Sequence, residues 1–283
     1  MNRIAGERGF CGAGAQVKAA RAALHFWEEP CLSGTRGSGT VFFSHCTMQC
    51  VYCQNHAIST DGQGKEIAVP RLCEIFLELQ SKRAHNINLV TPTHYIPQII
   101  DAVAIARQQG LALPVVYNSS GYEKPDSIRL LRDTVDIFLP DFKYADDALA
   151  VRYSHAPGYA QHALAAIAQM LEQVGDPVFD DEGMMQKGVI VRHLMLPGKL
   201  ADTKRVLKLL YDAFGDHIYI SLMNQYTPLD AVQDIPELNH PVDSADYDAA
   251  IDYAVSLGVE NGFIQEEGTV EESFIPAFNG EGI

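Results

Sequence analysis

Three cysteines fall within eight residues of this chain, at Cys46, Cys50 and Cys53, spaced C-x3-C-x2-C. Thiolates select soft metals: zinc, copper(I) or iron–sulfur clusters. Three close thiolates can hold three irons of a [4Fe–4S] cube and leave the fourth iron open. Such clusters ordinarily take four cysteines, so a missing fourth ligand implies a corner free for a small molecule. The same residues also read as a zinc knuckle completed by a histidine, because His45 and His56 lie beside the triplet. Tyr52, just before the third cysteine, offers an aromatic face suited to a purine ring.

The elements around the triplet say where it sits. A glycine-led apolar run before it predicts a first strand at 40–44, ending in the cysteine loop. Further strands are expected at 87–91, 114–118, 135–139, 189–196 and 217–222. Helical patterns lie between them at 71–83, 95–109, 125–132, 160–174 and 201–214, with Gly110, Gly175 and Gly215 closing three of them. Strands alternating with helices form parallel, right-handed βαβ units. Six units predict an α/β fold of the incomplete (β/α)6 TIM-like barrel kind, not a closed barrel of eight. A doubly wound sheet would carry a glycine-rich turn after the first strand, and the cysteine loop stands in that place.

Residues 1–36 read as a lead segment packing on the barrel, and residues 37–283 as the partial barrel with a C-terminal helix and cap. Within the lead, 3–14 is glycine-rich and irregular, and 17–27 has helical spacing (Val17, Ala20, Leu24, Trp27). A last outer helix is expected at 240–257, and the aromatic tail through Phe274 and Phe278 should pack back as an ordered cap. The acidic turn at 180–182 reads as solvated surface. Cys11 and Cys31 read as ordinary reduced thiols, and Cys73 as a core residue.

With Tyr52 before the last cysteine, C-x3-C-x-Φ-C after a first strand resembles the radical S-adenosylmethionine (SAM) enzymes. The run from Glu29 to Gly39 and the stretch Cys53-Gln-Asn-His56 resemble, more narrowly, homologues of the pyruvate formate-lyase activating enzyme. The resemblance extends over nearly the whole chain. It implies one [4Fe–4S] cluster on Cys46, Cys50 and Cys53, with SAM on the open iron. It implies reductive cleavage of SAM to methionine and a 5′-deoxyadenosyl radical, which takes hydrogen from a substrate. In the activating enzymes that hydrogen comes from a glycine of a partner glycyl-radical enzyme, and a flavodoxin or ferredoxin supplies the electron. A radical enzyme acting on a small molecule or peptide, and a non-catalytic zinc or iron–sulfur binding module, are the alternatives.

α/β barrels carry their chemistry where strands end, and polar residues follow each apolar run here. Lys143 suits the SAM carboxylate, and Asp141 can hold Lys143 or accept from a bound cation. Asn118 and Ser119 offer oxygens to the same locus. Thr91 and Thr93 offer hydroxyls and carbonyls near the SAM ammonium. Under the resemblance, Asp141-Phe-Lys143 matches the family's Asp-x-Lys. Asn118-Ser-Ser-Gly121 aligns with its Asp-Thr-Asn-Gly, so a monovalent cation there would lose a charge partner. Arg192 would face the methionyl carboxylate or the ribose, and Asn224 the ribose. Thr91-Pro92-Thr93 stands where the family has a Gly-Gly-Glu-like strand end. His94 and His193 read as structural or substrate-side groups. No general acid or base is assigned.

A formal charge of −15 over 283 residues argues against nucleic-acid and anionic-membrane surfaces. No run of apolar residues is long enough to span a membrane. The start, Met1-Asn-Arg-Ile-Ala-Gly-Glu-Arg8, has no apolar region of the signal-peptide kind. Six cysteines with one tight cluster then read as metal binding in the reducing cytoplasm.

Overall fold

The computed structural model describes residues 2–265 and 276–283. In chain order it contains β1 (Val17–His25), α1 (Pro30–Ser33), β2 (Ser38–Phe43), α2 (His56–Ser59), β3 (Lys65–Ile67), α3 (Val69–Ser81) and β4 (Ile87–Val90). There follow α4 (Ile96–Gln108), β5 (Val115–Ser119), α5 (Pro125–Arg129), β6 (Ile137–Pro140), α6 (Asp147–Ser154), α7 (Tyr159–Val174) and β7 (Val178–Phe179). The rest is β8 (Met185–Leu194), α8 (Leu200–Phe214), β9 (Tyr219–Met223), α9 (Ser244–Leu257) and β10 (Gly262–Ile264). Proline in the first turn starts α1, α3, α4 and α5, where a missing N–H costs nothing. Asp146 and Asp243 cap α6 and α9 through their carboxylates.

The sheet runs β10-β9-β8-β6-β5-β4-β2-β1-β3, with β7 paired to β8 alone. All six expected strands are present, as β2, β4, β5, β6, β8 and β9, and each pairs in parallel with its neighbour. β10 extends the parallel set beside β9. The two ends of the sheet, β10 and β3, are not paired among the described residues, so the barrel is unclosed.

The segment expected as a helix at 17–27 is instead β1, antiparallel to both β2 and β3. Its alanines favour a helix locally, but propensity is a weak preference, and hydrogen bonding from both flanks overrides it. β2 supplies one flank. The other is supplied by β3 and by the C-terminal residues, where Ala22 N–H donates to Glu281 O and Gly280 N–H to Ala20 O. That tail is held further by Arg21–Glu281 at 2.9 Å and by Phe278 edge-on to Phe42. Gly282 has φ +75°, and a Cβ there would meet Ala22 O at 2.1 Å, so only glycine fits. Residues 276–283 thus lie along β1 at this side of the sheet; Phe274, part of the expected cap, lies outside the described residues. In the long 144–188 connection, α6 and the β7–β8 hairpin join the expected helix α7.

Period-two alternation sorts the strands into two faces. Val41 and Phe43, Val115 and Tyr117, Phe138, and Val189 and Val191 join the helices in the main core. The opposite, inner face carries Val116, Ile137, Leu139 and Ile190, plugged from below by Cys31 and Leu32 of α1. Continuing each inner row to its strand end brings up Phe42, Val90, Asn118, Asp141, Arg192 and Met223. These side chains line one cleft.

Candidate functional site

The cysteine loop leaves β2 at its C-terminal end. His45 and Gln49 both adopt positive φ (76° and 50°), a costly conformation that tightens the loop around the thiols. Cys46, Cys50 and Cys53 line one cavity of ≈150 Å³ together with Thr91, Asn118, Ser119, Asp141, Lys143 and Arg192. Each sulfur receives a hydrogen bond. Met48 N–H donates to Cys46 Sγ at 3.4 Å, the Ser154 hydroxyl to Cys50 Sγ at 2.9 Å, and the Ser59 hydroxyl to Cys53 Sγ at 3.3 Å. Burial pushes the Cys50 thiol up to about 12, with Lys143 opposing. Burial, then Cys53, raises Cys46. A metal's positive charge is what would ionise such thiols. The zinc-knuckle histidines turn elsewhere: the His45 ring abuts Gly12 and Gly62, and exposed His56 sits 3.5 Å from Asp61.

Beside the thiols lies a buried array of charge. Lys143 Nζ donates to Asp141 Oδ2 at 2.6 Å. Arg192 donates to Glu28 Oε2 at 2.9 Å and to Asn118 Oδ1 at 2.6 Å, and its Nε lies 3.4 Å from Asp141 Oδ1. Asn88 Nδ2 donates to the other oxygen of Glu28 at 2.9 Å. Burial alone would raise the Asp141 carboxyl, but Lys143 and Arg192 hold it below the ordinary range. Burial likewise opposes the charge on Lys143 and Arg192, and in both Asp141 outweighs it, so their pKa values rise. The array thus sets two basic groups, Lys143 and Arg192, against two carboxylates, Asp141 and Glu28, beside the three sulfurs. Such an array can receive the carboxylate and ammonium of a small zwitterion beside the three thiols.

Residues 33–147, which contain the whole cysteine loop, match the family model of a 4Fe-4S single cluster domain. The structure superposes on methylornithine synthase (PylB) with a TM-score of 0.55 at 13% identity, covering 84% of this chain and 68% of that one. The family match takes in the whole cysteine loop, and the likeness to methylornithine synthase is one of fold. Streptococcus suis SuiB, solved bound to S-adenosylmethionine, superposes on this chain with a TM-score of 0.53 at 12% identity. That match covers 79% of this chain and 48% of SuiB, so this chain spans about half of SuiB's length. An uncharacterised protein of Methanocaldococcus jannaschii is 27% identical, over 90% of this chain and 71% of its own length.

Within the cleft the structure brings together Cys50, Cys53, Tyr52, Asn118, Asp141, Lys143 and Arg192. Cys46, Thr91 and Ser119 join them in the adjoining thiol cavity. Tyr52 is buried, with its hydroxyl bonded to Tyr144, which bonds in turn to Ser154, the donor to Cys50. Thr91 has φ 58°, a strained value for a β-branched residue, at the strand end where the resembled family has glycine. Thr93 turns away: its hydroxyl donates to Glu123 at 2.7 Å, and both line a separate cavity with His94 and Cys11. The Asn224 N–H donates to Gln265, while its neighbours Met223 and Gln225 line the cleft. His94 bonds Ser44 O, and His193 bridges Phe142 O and Thr203, so both serve the scaffold. Glu28, Ser59 and Ser154 carry no local sequence signal, although an acidic residue beside a predicted cleft arginine was a pairing to look for.

Proposed function

We propose that this chain is a radical SAM enzyme that binds one [4Fe–4S] cluster through Cys46, Cys50 and Cys53. The observation that carries the reading is the shared cavity: three hydrogen-bonded thiols open onto the same space as Lys143, Asp141 and Arg192. The donor set fits a cluster better than zinc, because the sulfurs lack a histidine partner in that cavity. When bound, the cluster supplies one electron to SAM, whose cleavage to methionine and a 5′-deoxyadenosyl radical starts hydrogen abstraction from a substrate. Lys143 and Arg192 bind the SAM carboxylate, with Asp141 holding both cations in place. Asn118 and Ser119 offer oxygens for the ribose side, Thr91 a contact for the ammonium, and Asn224 a ribose contact. Met48, Ser59 and Ser154 hold the sulfurs in position and favour their charged form.

The resemblance to activating enzymes favours a glycine of a partner glycyl-radical enzyme as hydrogen donor, with a flavodoxin or ferredoxin as reductant. A small chamber beside the cleft favours a small molecule or peptide side chain instead. The acidic charge supports a protein that binds neither nucleic acid nor anionic membrane. No helix among the described residues is long and apolar enough to cross a membrane; a cytoplasmic site of action is part of the proposal. Anaerobic reconstitution tests the chemistry. Iron and sulfide near about four each, and 5′-deoxyadenosine formed from SAM with dithionite, are the expected results. Colourless protein holding a single zinc overturns the reading. Deuterium transfer from labelled glycine-bearing partner or labelled small substrate into 5′-deoxyadenosine separates the two hydrogen donors.

A further inference from the structure

Three adjoining spaces meet at Arg192. The thiol cavity shares Asn118, Asp141, Lys143 and Arg192 with the cleft. The cleft in turn shares Trp27, Glu28, Arg192, Met223 and Gln225 with a third chamber. That chamber, of ≈100 Å³, is bounded also by Glu29, Ser221, Phe263 and Gln265. Its volume takes a handful of heavy atoms, the end of a molecule and not a nucleoside.

The chamber's charges do not balance. Arg192 is committed to Glu28, Asn118 and Asp141. Glu29 is left over: it is 7% exposed, and its Oε2 is buried with no hydrogen-bond partner. Burial raises the Glu29 carboxyl above its ordinary range, Arg192 opposes, and Glu28 adds to the rise. Ser221 approaches the same carboxyl. A buried acceptor with nothing to accept from is costly unless a ligand supplies the donor. Trp27 and Phe263 form aromatic walls, which favour a cation over an anion.

We infer that this chamber is a substrate subsite for a primary alkylammonium group, with Glu29 as its counter-ion and Ser221 and Gln265 beside it. The inference rests on the reading of the cleft as the SAM site, since it places the chamber where a substrate would enter beside bound SAM. Binding the cation draws Glu29 into its ionised form. The alkyl stem leads back past Met223 toward the cleft, so a carbon near the ammonium end faces the chemistry.

Trp27 is the chain's single tryptophan and lines both cleft and chamber, so with SAM already in place a further change in its emission reports entry of a second ligand. The cluster-loaded protein, kept anaerobic with SAM at about pH 8, is titrated with n-butylamine, 1-butanol and butyrate. Saturable change with n-butylamine, and none with the other two, is expected. Glu29→Gln should weaken amine binding at least about tenfold, the effect of losing one charge-assisted hydrogen bond. Ser221→Ala, a gentler change, should weaken it about threefold or more and guards against misfolding of the first variant. An equal response to 1-butanol, no saturation with the amine, or unchanged affinity in both variants overturns the inference. SAM cleavage by dithionite is read in the same samples. Amine binding without cleavage removes the proposed function and leaves the subsite; cleavage without amine binding does the reverse.

Discussion

Glu123 follows β5 and is 4% exposed. Its Oε1 accepts from Thr93 at 2.7 Å and from the Tyr117 hydroxyl at 3.2 Å. Burial dominates and pushes the carboxyl up from 4.5 to about 7, although Thr93, Tyr117 and Ser119 oppose the shift. Between those two values the folded chain keeps a proton that the unfolded chain has released. Stability therefore falls as pH rises through this window, and above about pH 7 the full cost is roughly 3 kcal/mol. Glu123→Gln keeps an oxygen for both donors and removes the ionisable group. At about pH 8 the variant should be more stable by about 3 kcal/mol in urea unfolding, or about 5 °C in melting temperature for a chain of this length. At about pH 4.5 the two proteins should agree within about 0.5 kcal/mol. A stability gap that does not close as pH falls, or a variant less stable at about pH 8, refutes the reasoning.

Replacing Cys46, Cys50 or Cys53 singly by serine should abolish the brown colour and bound iron after anaerobic reconstitution, whereas Cys11→Ser and Cys73→Ser should retain both. Gly121 has φ +74°, and a Cβ there would lie 2.1 Å from Asp141 O. Gly121→Ala should cost at least about 2 kcal/mol in urea unfolding and weaken SAM binding by displacing the Asp141–Lys143 pair; full retention of SAM affinity would count against that pairing's role. Arg192→Lys keeps a charge but loses the fork that spans Glu28 and Asn118. It should destabilise the chain by about 2 kcal/mol and raise the SAM dissociation constant measured by equilibrium dialysis.

Much of the architecture was legible because it is periodic. Apolar runs at the right intervals marked the six parallel strands, and the polar residues that follow them put Asn118, Asp141 and Arg192 at strand ends, where such folds carry chemistry. β1 was not legible, because the local propensity of alanine-rich 17–25 favours a helix. Its state is settled by β2, β3 and the residues near Glu281, more than 250 positions away. Thr93 illustrates the same limit at the site: its place after β4 suggested the cleft, and a buried Glu123 drew its hydroxyl the other way.

The sequence by itself determined the kind of metal chemistry open to this protein, since three thiols in one loop are a covalent fact that folding only gathers. Tertiary structure alone decided what surrounds them. Ser154 reaches Cys50 across 104 residues, and Glu28 reaches Arg192 across 164. Hydrogen bonds and ion pairs depend on distance in space, and no local pattern along the chain encodes which distant side chains a closing sheet will bring within 3 Å.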